Sequence, residues 1–124
     1  MTVVLDATFL SDVRRGDEAA IALLERLGEE RETALVPSVV LAQYLTGSRY
    51  PAQDLTTLQR GAEVQEFRSE DAREAAEIAR RTFSRGEFPG WIDVLVAGFA
   101  KARGNLPVVT RNVRHFPETR TMTY

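Results

Sequence analysis

Three features of the sequence predict an α/β fold, a mostly parallel central sheet with helices on both faces. Short apolar runs of strand type alternate with helix-periodic stretches along the whole chain. Runs such as Thr2–Leu5 and Leu106–Val109 carry no polar alternation, the pattern of strands covered on two sides. At 124 residues there is room for one domain, spanning 1–124, and a hydrophobic content of 44% supplies its core.

Thr2–Leu5 (TVVL) is the first strand and stops at Asp6. Asp17 opens a helix that puts Ala20, Leu23, Leu24 and Leu27 on one face. Thr33–Val36 is a second buried strand, and Pro37–Ser38 starts a helix through VVLAQYL. After Gly47 come a short helix, Asp54–Arg60, and a strand, Val64–Phe67. Ser69 caps the helix Glu70–Arg85, whose acids at the start and Arg80, Arg81 and Arg85 near the end suit the helix dipole. Gly86 stops it. The loop Phe88–Pro89–Gly90 leads to an apolar helix, Trp91–Arg103, with Asp93 in its first turn. Gly104–Asn105 turns the chain into Leu106–Val109, which ends at Thr110, and Arg120–Tyr124 adds an edge strand.

Composition removes whole classes of chemistry. Without cysteine there is no disulfide scaffold, thiolate zinc site, iron–sulfur site or cysteine nucleophile. A single histidine, His115, removes His-rich zinc sites. No apolar run approaches the roughly 20 residues of a membrane span, and no basic segment precedes the first apolar stretch, so the expected compartment is the cytoplasm. The net charge of −2 means that any nucleic-acid binding comes from a local patch or is helped by a metal.

Ligands of parallel sheets bind beyond the carboxyl ends of the strands, which singles out Asp6, Ser38 and the turn Thr110–Asn112. A carboxylate at the mouth of a buried strand is costly unless a cation or donors meet it. Asp93 enters an apolar helix as a lone acid. Helix capping accounts for each of them separately. Two isolated acids aimed at one sheet edge also make a hard-oxygen site suited to Mg²⁺ or Mn²⁺. A phosphoacceptor receiver domain gathers acids in a similar way, but the lone Lys101 lies inside a helix, the wrong place for its lysine.

Four segments in order, VVLDATFL, VPSVVLAQYLTG, WIDVLVAGFAKARG and LPVVTRNVRHF, resemble the PIN-domain nucleases, and among them the VapC-type toxins of toxin–antitoxin operons. The resemblance runs over essentially the whole chain and is thinnest between Tyr50 and Glu63. It implies a single PIN-like domain acting as a Mg²⁺- or Mn²⁺-dependent endoribonuclease, with 5′-phosphate and 3′-hydroxyl products. It also implies an RNA substrate, a homodimer and a cognate antitoxin that holds the enzyme inactive. Residue by residue, Asp6 matches the first acid and Asp93 the acid of the apolar helix, both as metal ligands. Asn112 stands where the family has Asp or Asn, Thr110 matches the small hydroxyl residue before that turn, and Ser38 precedes the second motif.

The departure is Gln43, in Leu41-Ala42-Gln43-Tyr44, where the family has Glu. Gln keeps length and one oxygen but loses the charge, leaving Asp6 and Asp93 as the site's anions. It is either the natural residue of a weakened enzyme or a deliberate Glu→Gln exchange that tames a toxic one. Asp12 fits a solvated helix end and so does not compensate. His115 is read as a partly buried residue tying down its turn beside Phe116, ahead of an RNA contact. Arg14, Arg15, Arg80, Arg81, Arg85, Arg111 and Arg114 are candidate phosphate contacts, and Arg111 and Arg114 are the expected ones because their turn adjoins the site. Tyr44, Leu45 and Tyr50 look like exposed apolar positions for a dimer partner. Two other readings stand beside this one. One is a catalytically inactive PIN module that binds RNA or a partner protein, and the other is a plain α/β interaction domain whose acids are all caps.

Overall fold

The computed structural model describes all 124 residues. Five strands form one parallel sheet in the order β3-β2-β1-β4-β5: β1 (Thr2–Leu5), β2 (Thr33–Pro37), β3 (Glu63–Gln65), β4 (Val108–Val109) and β5 (Thr121–Met122). The helices are α1 (Ala7–Arg14), α2 (Glu18–Glu29), α3 (Ser38–Thr46), α4 (Pro51–Gly61), α5 (Ser69–Ser84) and α6 (Trp91–Ala102), followed by a 3₁₀ turn at Val113–His115. β1 is central, with Val4 opposite Leu35 on one side and Val108 on the other. Val3, Val4 and Leu5 are at most 1% exposed, so both faces of the strand are covered, as its unbroken apolar run requires.

β3 and β4 are shorter than the apolar runs that encode them. β3 spans Glu63–Gln65 rather than Val64–Phe67, because the Phe67 N–H bonds to Ser38 Oγ at 3.2 Å and so leaves the sheet. β4 begins only at Val108, since Leu106 donates its N–H to Ala100 O and Pro107 has none to donate. α4 is longer than Asp54–Arg60 because Pro51 provides a preset first helical residue. Ser69 is not a cap but the first residue of α5, and Asp71 Oδ2 accepts the Arg68 N–H in its place at 2.8 Å.

Helices α5 and α6 meet backbone to backbone at Gly98. A Cβ there would lie 2.6 Å from both Ala75 N and Asp71 O, closer than any side chain tolerates. The same end of the pair is held by Asp71, which is fully buried and accepts Arg103 Nη1 at 2.7 Å. Arg103 lies over the Phe99 ring and also donates to Gln65 Oε1 and Phe99 O. At the opposite end of the pair, Phe83, Phe88 and Trp91 cluster at the surface. The first two rings are stacked at 4.0 Å, and Trp91 is 58% exposed.

Candidate active site

Strand order places the site. The chain builds β1, β2 and β3 outward on one side and then crosses to β4 and β5 on the other, so its connections diverge between β1 and β4. Ligands of open parallel sheets bind at such a divergence, beyond the strand carboxyl ends. Asp6 follows β1 there, and Thr110 follows β4.

Asp6 does cap α1, its Oδ1 accepting the Phe9 N–H at 2.8 Å. Capping does not complete its account. The residue is 4% exposed, and no basic group forms an ion pair with it. Burial pushes its carboxyl above the usual carboxylate range. The Phe9 N–H and the Thr110 hydroxyl pull it back, while the charges of Asp93 and Asp12 push it up further. Asp93, in the first turn of α6, is half-buried, and its Oδ2 lies 2.7 Å from His115 Nδ1. Burial raises its carboxyl as well, against the pull of His115. His115 is therefore exposed rather than partly buried, and it ties down its turn through Asp93 rather than by packing.

The turn after β4 is stitched in place by its own side chains. Thr110 is fully buried, and its Oγ accepts the Asn112 N–H at 3.0 Å. Asn112 Nδ2 reaches Thr8 Oγ1 on α1 at 3.4 Å. Gln43, on α3, is exposed and faces Ala7, Thr8, Ser11 and Arg15 of the α1 side across a groove.

Several residues hold different positions from those expected. Asp12 is 4% exposed rather than a solvated helix end. The Tyr124 hydroxyl donates to its Oδ2 at 2.6 Å, Arg15 pairs with its Oδ1, and Arg111 stands 3.7 Å away, so the tail and the β4 turn fold over it. Burial and the Asp12 carboxylate push the Tyr124 phenol far above its ordinary value. Arg111 is already partnered within the chain. Its two Nη atoms each bond Asp17 at 3.0 Å, and its guanidinium lies over the Tyr124 ring. Arg114 is exposed and forms no ion pair. Ser38 Oγ accepts the Phe67 N–H and keeps its own hydroxyl hydrogen to donate. Tyr44 is 8% exposed, covered by Arg14 stacked on its ring at 4.3 Å, whereas Tyr50 is 68% exposed. The sequence reading passed over Thr8 and Ser11. Together with Arg15 they occupy one face of α1 after Asp6, a spacing visible in the sequence.

No group of three carboxylate, imidazole or thiolate side chains is placed to hold a metal ion. The charged donors at the site are Asp6 and Asp93, and Gln43 and Asn112 offer neutral amide oxygens. The set consists of hard oxygens around a buried carboxylate that lacks a protein cation, which fits one Mg²⁺ or Mn²⁺ of reduced affinity.

Fold and site define a parallel α/β protein that gathers acids at one edge of its sheet. The sequence model of the PIN domain matches residues 3–121, and the chain belongs to the PIN-domain family. Comparison with curated proteins gives no match. Among solved structures, VapBC2 from Rickettsia felis bound to a DNA fragment from its promoter superposes with TM-score 0.81 at 22% identity, over 100% of this chain and 99% of that one. DNA-bound VapBC from Salmonella typhimurium gives 0.80 at 24%, over 99% and 98%. The Mycobacterium tuberculosis toxin VapC20, which cleaves the sarcin–ricin loop, gives 0.64 at 16%, with 86% of each chain covered. No helix is long and apolar enough to cross a membrane.

Proposed function

We propose that this chain is a VapC-type toxin, a Mg²⁺- or Mn²⁺-dependent endoribonuclease held in check by a cognate antitoxin and working in the cytoplasm. One observation carries the reading. Asp6 is the buried carboxylate of this fold that no basic side chain neutralises, and it sits beside a second acid, Asp93, at the sheet's divergence. Such a charge calls for a cation from outside the protein. The VapC20 likeness supports RNA as the substrate, and the VapBC complexes support an antitoxin partner.

A divalent ion held by Asp6 and Asp93 would supply Lewis-acid polarisation of the scissile phosphodiester and water acidic enough to attack at neutral pH. The chain's own residues prepare that place. Phe9 N–H and Thr110 fix the Asp6 carboxylate, and His115 holds Asp93 by Oδ2, which leaves Oδ1 as its second donor. Thr8 and the Thr110 hydroxyl fix Asn112. Gln43 brings an amide where a carboxylate would add charge, so binding of RNA persists while cleavage is weak. The exposed cluster Phe83, Phe88 and Trp91, rather than the buried Tyr44, supports a homodimer, which light scattering would detect.

The test is Gln43→Glu on total RNA with Mn²⁺, repeated with EDTA. Restoring the carboxylate should raise EDTA-sensitive cleavage by about 10²-fold, the scale of a lost electrostatic stabiliser. Equal cleavage by both forms would remove position 43 from the site. No cleavage by either would favour an inactive PIN module that binds RNA or a partner, a reading the missing third carboxylate supports.

A further inference from the structure

The groove between α1 and α3 lies outside the acid pair and is polar in an unusual way for a chain of net charge −2. It is lined by Ala7, Thr8, Ser11 and Arg15 on one side and Gln43 on the other, with no carboxylate among them. It begins at Thr8, the residue that contacts Asn112, so it is continuous with the candidate site. From Thr8 to Arg15 it follows α1 and the residue that ends it for seven residues, about 10 Å at helical rise.

Arg15 is what makes the groove receptive. One nitrogen of its guanidinium is engaged by Asp12, yet the side chain remains 66% exposed. A guanidinium has five N–H donors in a planar fork, so most of those of Arg15 remain unpaired within the chain, on a residue that lines the groove. Asp12 does not depend on Arg15 alone, because the Tyr124 hydroxyl donates to it and Arg111 stands 3.7 Å away. The hydroxyls of Thr8 and Ser11 and the Gln43 amide add neutral donors along the same wall. Arg111, the arginine closest in sequence to the β4 turn, is closed off by Asp17.

We infer that this groove is a phosphate subsite for single-stranded RNA, in which Arg15 takes a backbone phosphate flanking the scissile one and Ser11 and Gln43 support it. The inference rests on the ribonuclease reading and assigns the course of the strand away from the acids. Gln43 then has two consequences at once. A Glu at that position would strengthen the cation site and place a negative charge in a groove built for phosphate.

The experiment is fluorescence anisotropy of a labelled 12-nucleotide single-stranded RNA in EDTA, so that neither cleavage nor metal contributes. It is run across a salt series with the parent chain, Arg15→Gln, Arg15→Lys and Gln43→Glu. Arg15→Gln should weaken binding about tenfold, the weight of one charge-assisted contact. It should also lower the slope of log K against log salt by about 0.7. Arg15→Lys should keep the slope while losing part of the affinity, because it retains the charge without the fork. Gln43→Glu should bind RNA more weakly in EDTA even as it cleaves better with Mn²⁺. Thermal melting of Arg15→Gln close to the parent shows that the fold is intact. Should it melt far below the parent, Arg15→Lys and Gln43→Glu carry the test. Unchanged affinity and slope in Arg15→Gln would overturn the subsite. So would a loss confined to an acidic peptide titrated in parallel, which would make the groove a protein-docking surface. If Gln43→Glu cleaves RNA while Arg15→Gln binds like the parent, the subsite alone fails. If the parent binds no RNA and Gln43→Glu cleaves none, the ribonuclease reading fails with it.

Discussion

Asp71 and Asp6 are both buried carboxylates, and the fold treats them in opposite ways. Asp71 has no exposed surface and is met by a guanidinium at 2.7 Å and by the Arg68 N–H at 2.8 Å, while the guanidinium itself is fixed by Gln65, Phe99 O and the Phe99 ring. Asp6 is 4% exposed and has an N–H and a hydroxyl for company, and the charges near it, Asp93 and Asp12, have its own sign. Burying an ion costs several kcal/mol unless a partner offsets it. At the Asp71 end the offset is internal. At the Asp6 end it is missing, and the raised carboxyl of Asp6 records the deficit. Asp71 is neutralised by the chain itself, and Asp6 is left without a cation of the chain, which is what the proposed metal site requires.

The strongest way to break this contrast is Arg103→Ala. It strands Asp71 without its cation and should destabilise the fold by about 3–5 kcal/mol, read by urea unfolding at pH 7. A loss below about 1 kcal/mol would mean that Asp71 is as uncompensated as Asp6. Asp6→Asn should do little or the reverse. Asn keeps the cap on Phe9 N–H and removes an unpaired buried charge, so stability should stay within about 1 kcal/mol of the parent or rise, while Mn²⁺ binding followed by calorimetry is lost. A large destabilisation would show that Asp6 is structural. The smallest effect belongs to Glu118, whose carboxyl Arg81 and Arg85 hold below the usual carboxylate range. A depressed folded-state pKa gives stability that is present above the ordinary carboxylate value and lost as pH falls through the folded one. Glu118→Gln should therefore flatten the acid side of the stability–pH curve by about 1 kcal/mol or less, since both arginines are well exposed. An unchanged acid limb would mean that these pairs contribute nothing.

The strand exits were legible because burial leaves a local signature. TVVL before Asp6 and LPVV before Thr110 announce where a covered strand ends, and an acid among Trp91, Ile92, Val94 and Leu95 announces Asp93. Side-chain partnerships across the chain were not legible. Arg111 and Asp17 are 94 residues apart, and Tyr124 and Asp12 are 112 apart, so nothing local reveals that Arg111 is already paired or that Asp12 is covered. Tyr44 reads as exposed in an amphipathic count, yet Arg14 from α1 covers it. The lengths of β3 and β4 were overestimated for a related reason. Apolar residues flanking the ladder pack against the core without joining it, as Phe67 does after β3 and Leu106 before β4.

At Gly98 the fit of α6 on α5 is set by an atom that is absent. Asp93 lies five residues earlier on the same rigid rod, about 7.5 Å along its axis. The contact at Gly98 is thus a fulcrum, and the far end of the rod carries one of the two acids. A methyl group there has no room between Ala75 N and Asp71 O, so the rod must tilt or lift, and the spacing between Asp93 and Asp6 changes with it. Gly98→Ala would then register twice, as a lower melting temperature and as weaker Mn²⁺ binding, although position 98 touches neither acid. Such a result would place the calibration of the acid pair at a seam between two helices, away from the acids themselves.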